Sequence, residues 1–528
     1  MENRPVRILL LPLLLGFCLA AGLYLGSKLG GTTVSNDDKI GSILDYIELE
    51  YVDTVDRKEL VESSIVKLLE QLDPHSAYIP SEDLKAANEP LEGNFEGIGV
   101  EFHIQEDSIM VVSAISGGPS ESVGILPGDR IVKVNNKNVA GIGITNDQVM
   151  KNLRGKGGTE VKVAVFRRGQ KSLIDFKIIR GKIPINSLDY AYMIDEKTGY
   201  IKISRFSATT YAEFITAMKQ LKQKGLQQLI LDLRGNPGGF LDAATDIADE
   251  FLGGRKLMVY TEGKARPKAE YFSGKDGLFE QGKIVVLIDE GSASASEIVS
   301  GAIQDWDRGT IIGRRSFGKG LVQEQTVLPD GSALRLTIAR YYTPTGRSIQ
   351  KPYEKGVAAY EDEVIDRYRH GELIHKDSIR LPDSLKYKTP AGRIVYGGGG
   401  IMPDIFVPID TTYESDYLNK LFASGCVNQF SYDYVDQHRN ELKKFSSPTA
   451  FRTGFKADQS FINEFTRYAE TKGVPRDEKG LQQSLPVLSN QLKAYIARLM
   501  WRNDGLYPIL HEKDPVLQRA LQQLKKEK

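Results

Sequence analysis

The chain has 528 residues, with 69 Lys+Arg balanced by 69 Asp+Glu, and 41% of its side chains are apolar. At roughly 100–200 residues per domain, that length predicts three or four domains. A net charge of zero offers no field to draw in nucleic acid or an acidic surface, and two cysteines, Cys18 and Cys426, are too few for a disulfide framework or a cysteine-rich metal site.

Arg4 and Arg7 precede an uncharged run from Ile8 to Gly26, which Lys28 closes. A positive flank followed by an apolar stretch is the pattern of a secretory signal or a signal anchor. No small-x-small cleavage site follows, and bulky Phe17 beside Cys18 argues against a lipoprotein box. Residues 1–35 therefore read as a signal anchor or signal peptide, with the uncleaved anchor preferred, and the expectation is an exported, periplasmic chain held at the inner membrane by this segment.

Residues 36–90 form a helical N-terminal region, with helical apolar spacing in the runs 40–47 and 60–69 and a proline turn at Leu72-Asp73-Pro74-His75-Ser76. Over residues 91–186 the texture changes to short β-branched runs such as 109–112, 130–134 and 161–166, with one helical segment at 145–153. A small β domain of this kind can accept an extended peptide as an added strand. Gly97, Ile98, Gly99 and Val100 would form the loop whose free amides hold a terminal carboxylate, and residues 100–102 the docking edge. Over residues 187–410 strands alternate with helices, which predicts a mostly parallel α/β core. Leu229-Ile230-Leu231-Asp232-Leu233 and the run 283–289 read as its buried strands. Residues 411–528 are polar and helical, with no motif that carries chemistry.

Three segments of the core could act on a substrate. Gly291-Ser292-Ala293-Ser294-Ala295-Ser296-Glu297 sits between a buried strand and a helix, and Ser294 to Glu297 is a Ser-x-x-Glu capping box. A serine there also meets orphan amides and a helix dipole able to hold an oxyanion. Gly313-Arg314-Arg315-Ser316-Phe317-Gly318-Lys319-Gly320 is nearly a phosphate-binding loop. Gly320 replaces the hydroxyl that would hold magnesium, and residues 332–341 alternate like a strand, so that reading fails. Lys319 acting as a base would need its pKa to fall from about 10.4 towards about 7–8, a shift costing about 4 kcal/mol that demands a dry pocket. Gln323 lies four residues on, where one helical turn would bring its amide back to the lysine. Leu233-Arg234-Gly235-Asn236-Pro237-Gly238-Gly239 is a turn whose glycines permit a backbone amide to approach an oxyanion closely. None of the six histidines falls in a nucleophile motif, and His370 and His375 are five apart rather than the four of a helical zinc pair.

These motifs, in this order behind a β domain and an export signal, resemble the C-terminal processing peptidases, or tail-specific proteases. The resemblance runs from Ile40 to about Pro408 and includes Leu72–Ser76, Leu231–Gly239, Ser292–Glu297, Phe317–Gly320 with Gln323, and Gly400-Ile401-Met402-Pro403-Asp404. It implies a multidomain α+β protein: a crotonase/ClpP-like α/β peptidase core, an inserted PDZ-like domain, and helical regions at both ends. In this family the nucleophile lies 25 residues before the lysine, which selects Ser294 over Ser292 and Ser296. Lys319 would be the general base, Gln323 its orienting partner, and the oxyanion hole the amide of Ala295 plus that of Gly238 or Gly239. The resemblance implies substrates with free C-termini held by the Gly97–Val100 loop. It implies no metal, no cofactor and no nucleic acid, and leaves homo-oligomerisation open. The rival readings are a non-catalytic PDZ scaffold and a crotonase-like acyl-CoA enzyme. The long helical C-terminus exceeds what the family needs, and covering the PDZ face, joining subunits and bracing the core are equally open roles for it.

Overall fold

The computed structural model describes residues 16, 19–22, 39–274, 276–379 and 381–526, so most of the apolar run of residues 8–26 lies outside the described residues. Among the described residues no helix is long and apolar enough to cross a membrane. Residues up to Leu72 and residues from Asp73 onward make two compact units. In the first, two helices, Lys39–Glu50 and Arg57–Glu70, stand where one helical stretch was expected. Asp56 ends the turn between them by accepting from the amides of Lys58 and Glu59, and Arg57 reaches back to Asp45 and Glu48 at 2.6 and 2.8 Å. In the second unit the helical pattern is again interrupted, because the strand Ala77–Ile79 precedes the helix Ser81–Glu92.

The core of the second unit is a six-stranded sheet in the order Leu188–Met193, Thr198–Ile203, Gln228–Asp232, Lys283–Ile288, Thr310–Gly313 and Ile405–Phe406. Only the first pair is antiparallel. Leu229 to Leu231 and Ile284 to Ile288 are wholly buried, which is why these strands read as unbroken apolar runs rather than alternating ones. Helices Thr210–Gln223, Leu241–Asp249 and Ala295–Asp305 supply Phe214, Met218, Ile247 and Val299 to one face. The other face is covered from the far end of the chain. Helix Pro515–Lys526 packs Val516, Leu517, Ala520 and Leu524 onto Tyr200, Ile230, Val285, Leu287 and Ile312, and the Lys283 ammonium donates to the Leu524 carbonyl at 3.1 Å.

A second, antiparallel sheet stands beside the first. It orders Ala77–Ile79, Ala333–Tyr342, Leu257–Glu262 and Ala269–Phe272, and Leu321–Val327 also pairs with Ala333–Tyr342.

The β domain has strands Val100–Gln105, Ser108–Ala114, Arg130–Val134, Glu160–Phe166 and Ile174–Ile179 in that spatial order, with a helix at Asn146–Leu153. Thr145 and Gln148 close a capping box at the start of that helix. Val100–Gln105 is an edge strand of this sheet, paired only with Ser108–Ala114 among the described residues. Its even-numbered residues Val100, Phe102 and Ile104 pack on the domain's core. Its odd-numbered residues face the C-terminal helices: Glu101 pairs with Arg498 at 2.6 Å, His103 stacks on Tyr432, and Gln105 donates to Asp433.

Those helices, Asp416–Ala423, Cys426–Gln437, Gln459–Thr471 and Glu478–Leu510, share a core that includes Phe430, Phe451, Phe461 and Phe465. The longest is broken at Trp501 and Arg502, whose backbone angles leave the helical region. The C-terminal extension therefore does two of the three things open to it, bracing the core sheet and covering the outer face of the β domain. Leu517 is 1% exposed, so Leu517→Ala should lower the unfolding free energy by about 2–5 kcal/mol, read from denaturant midpoints.

Candidate active site

Three loops meet where the parallel strands of the core sheet end at their carboxyl termini, the usual place for a ligand in an open α/β sheet. They follow Gln228–Asp232, Lys283–Ile288 and Thr310–Gly313. They carry the three segments that the sequence singles out.

The second loop holds three serines in different states. Ser292 is fully buried, donates to the Leu233 carbonyl at 2.8 Å and accepts from the Asp289 amide at 2.9 Å. Ser296 is fully buried and donates to the Asn236 carbonyl at 2.9 Å. Ser294 is half-buried; as the helix cap its side chain faces the Glu297 amide, and its hydroxyl donates no hydrogen bond among the described residues. It lines a cavity of about 270 Å³ together with Phe240, Leu241, Ile298, Leu321, Val322, Gln323 and Tyr341. Ser294 caps the helix Ala295–Asp305 with φ 55° and ψ −113°, a backbone geometry that costs on the order of 1–3 kcal/mol in a non-glycine residue. Such strain persists only where the surroundings impose it, and here they do.

Glu297 is the main constraint. Its carboxyl is fully buried and accepts four hydrogen bonds: from the Ser294 amide at 2.8 Å, the Lys319 amide at 2.9 Å, the Gly318 amide at 2.8 Å and the Ser316 hydroxyl at 2.5 Å. Burial pushes its pKa up to about 7 against the pull of those donors. Tyr341, 1% exposed, adds a second tie, since its hydroxyl reaches both the Ser294 carbonyl, at 3.1 Å, and the Lys319 carbonyl. Behind the third loop, Arg367 donates to the carbonyls of Ser316 and Phe317, and the Ile401 amide donates to the Ser316 hydroxyl. The Gly400-Ile401-Met402-Pro403-Asp404 motif thus supports the lysine loop, and Asp404 accepts from the Ile311 amide at 2.7 Å. Sequence reading took Glu297 only as a helix cap and missed Tyr341. The usable signal is an acidic residue heading a helix rich in small and apolar residues, since a carboxyl buried there has to collect protein donors.

Burial pushes the pKa of Lys319 down, nearby Arg335 lowers it further, and Asp73 and Glu297 oppose both. Among the described residues its ammonium has no ion pair or hydrogen bond. His75 stands close enough to feel the lysine's charge, but burial lowers its pKa to about 4, and its ring bonds the Tyr360 hydroxyl at 2.9 Å.

One expectation is corrected. Gln323 is not a helical turn from Lys319, because residues from Leu321 form the strand Leu321–Val327, where four residues span roughly 13 Å. Pairing with Ala333–Tyr342 overrides the helical spacing, and the Gln323 amide donates to the Thr337 hydroxyl at 3.3 Å.

The first loop brings Gly238 and Gly239 against Ser294. A Cβ on Gly238 would lie 2.7 Å from the Ser294 Cβ, and one on Gly239 would lie 1.8 Å from the Phe206 carbonyl, so neither position admits a side chain. The two amides differ. Gly238 donates to the Asn236 side chain at 2.9 Å, whereas the amides of Gly239 and Ala295 donate to nothing among the described residues. In the β domain the amides of Ile98 and Gly99 are likewise uncommitted, while the Ile98 carbonyl accepts from both the amide and the hydroxyl of Ser120. A larger cavity, of about 630 Å³, lies between the β domain and the C-terminal helices, beside Met110, Phe166 and Tyr432 and away from all three loops. Among the described residues no group of three or more His, Cys, Asp and Glu could hold a metal ion.

The model of peptidase family S41 matches residues 197–359, which contain all three loops, and that of the PDZ domain matches residues 97–178. The carboxy-terminal-processing protease of Bartonella bacilliformis is 36% identical over 363 residues, covering 66% of this chain and 81% of that protein. The chain belongs to peptidase family S41. It is a serine-type peptidase of the carboxy-terminal processing group and carries a PDZ domain. The carboxy-terminal processing protease CtpA of Bacillus subtilis is 36% identical over 328 residues, 62% of this chain and 69% of the relative. A solved photosystem II D1 C-terminal processing protease covers 70% of this chain and 86% of its own, at 25% identity and a TM-score of 0.37. Residues 417–503 of this S41 peptidase match a family of unknown function.

Glu297→Gln keeps the volume but turns an amide NH₂ towards existing donors, so the unfolding free energy should fall by about 1–3 kcal/mol. The carboxyl's pKa is raised on folding, so its protonation favours the folded chain fully below its ordinary value of 4.5, and that contribution is lost as pH rises through about 7. The deficit of Glu297→Gln against wild type should accordingly narrow between those values in unfolding experiments at stepped pH.

Proposed function

We propose that this S41 peptidase is an exported endopeptidase that captures protein C-terminal tails through its PDZ domain and cuts peptide bonds with a Ser294–Lys319 dyad. The observation that carries the dyad is the state of the three serines. Ser292 and Ser296 spend their hydroxyl protons on backbone carbonyls, whereas the Ser294 hydroxyl donates to nothing among the described residues, and Ser294 lines a cavity of mixed polarity and shares Glu297 and Tyr341 with the lysine loop.

In this mechanism neutral Lys319 takes the proton as the Ser294 oxygen attacks the substrate carbonyl. The uncommitted amides of Ala295 and Gly239 hold the oxyanion, a role for which Gly238 is less suited because Asn236 occupies its N–H. Collapse breaks the C–N bond, and Lys319 returns the proton to the leaving amine. Water then attacks the ester with the lysine again as base, releasing the acid and restoring Ser294. In this mechanism the Gln323 amide oxygen closes on the lysine Nζ, a hydrogen bond not made among the described residues, and orients it without adding a negative charge that would hold the proton on.

Phe240, Leu241 and Val322 beside Ser294 favour an apolar side chain next to the cut. The unpaired amides of Ile98 and Gly99, beside the edge strand Val100–Gln105, favour a tail docked as an added strand with its carboxylate in the loop. Arg4, Arg7 and the apolar run from Ile8 to Gly26 support export and a periplasmic site at the inner membrane.

Full-length protein in detergent, incubated with unfolded casein, should yield fragments visible by mass spectrometry. Ser294→Ala and Lys319→Ala should each lose about 10⁴-fold or more in kcat; fragments persisting in Ser294→Ala would remove it as the nucleophile. Activity should rise with pH through the lysine's lowered pKa. Arg335→Gln removes a charge that disfavours the ammonium, so the midpoint of that limb should move to higher pH and the rate at neutral pH should drop.

A further inference from the structure

The turn that opens the second unit lies outside the matched peptidase segment, yet its hydrogen bonds lead into the active site. We propose that Asp73, acting through Thr337, determines which end of the Gln323 amide is turned towards Lys319, making Asp73 and Thr337 positioning residues of the dyad. This inference rests on the Ser294–Lys319 reading.

Asp73 is 8% exposed. Burial pushes its pKa up, but hydrogen bonds from Ser76, His75 and Thr337 outweigh burial and hold it below the ordinary carboxylate value. It is therefore ionised, and an ionised carboxylate only accepts. One oxygen takes the amides of His75 and Ser76 at 2.8 and 2.9 Å and the Thr337 hydroxyl at 3.1 Å; the other takes the Ser76 hydroxyl at 2.7 Å. Ser76 in turn accepts from the Thr337 amide at 3.1 Å, so Thr337 is held from both its backbone and its side chain.

A threonine hydroxyl has a single proton, and here it is committed to Asp73. Towards Gln323 the Thr337 oxygen can offer only a lone pair. Gln323, paired with Thr337 across the two strands, must present its NH₂ there, which it does at 3.3 Å. The amide oxygen is thereby turned away from Thr337, and among the described residues it receives no hydrogen bond.

This polarity matters to the base. An amide oxygen turned to the lysine accepts an N–H from Nζ and leaves the nitrogen lone pair for the serine proton. An NH₂ turned the same way would donate to that lone pair and occupy it. Asp73 thus reaches the amide through two hydrogen bonds, while its charge separately favours the lysine's ammonium form.

The test compares full-length wild type with Thr337→Val, Thr337→Ser, Asp73→Ala and Ser294→Ala, and combines Thr337→Val with Gln323→Ala, using initial rates on unfolded casein. Thr337→Val should lower kcat about tenfold with little change in KM, the loss expected for about one hydrogen bond. Thr337→Ser should restore the rate, and Thr337→Val should cost nothing further in the Gln323→Ala background. Asp73→Ala should lower the limiting kcat as Thr337→Val does and, unlike it, should move the midpoint of the pH limb lower, because a charge that favours the ammonium is gone. Should that variant unfold, Thr337→Val still decides the matter, because it leaves the turn's own bonds in place. A wild-type rate in Thr337→Val, or losses that multiply in the double variant, would overturn the relay while leaving the dyad intact. Cleavage surviving in Ser294→Ala would instead overturn the dyad itself.

Discussion

A carboxyl group with no access to water has to be satisfied by protein donors, and Glu297 draws all four of its donors from the two loops that carry Ser294 and Lys319. Stranding such a group costs several kcal/mol, so the loops cannot drift apart without paying that penalty. The strained backbone of Ser294 persists for the same reason, since its amide is held by Glu297 and its carbonyl by Tyr341. Support continues outward through Ser316, Ile401 and Arg367, each closing a bond on the lysine loop.

The PDZ domain is held through the outward side chains of its edge strand. Strand alternation makes this division: in Val100–Gln105 the even positions fill the domain core, and the odd positions meet the C-terminal helices. The kink at Trp501–Arg502 marks where those helices serve two neighbours. Arg502 donates to the Ala114 carbonyl and to Glu121 of the PDZ domain, while Asn503 and Tyr507 bond Asp189 on the edge strand of the core sheet. Helical geometry through residue 502 would point these side chains elsewhere, so the break in the helix goes together with its double attachment.

Much of this was legible in the residues. Unbroken apolar strands ending in glycine-rich or serine-rich turns announced a parallel sheet with chemistry at its carboxyl edge, and the elements between Gly199 and Tyr342 lie close to where periodicity puts them. The helical relation of Lys319 to Gln323 failed because spacing in the chain says nothing about which partner strand a segment will meet. Asp73 and Thr337 stayed invisible as a pair because a turn and a strand 264 residues apart share no local pattern.

The sequence by itself determined the family, the order of the domains and a short set of candidate residues, because these rest on local motifs and on the period of the apolar positions. Only the tertiary structure decided which of three closely spaced serines keeps its hydroxyl proton unshared, which of two adjacent glycines keeps a free amide, and what the C-terminal helices cover. Each of those depends on whether a hydrogen-bonding group finds a partner from a distant segment, and that is a property of packing in space rather than of order along the chain.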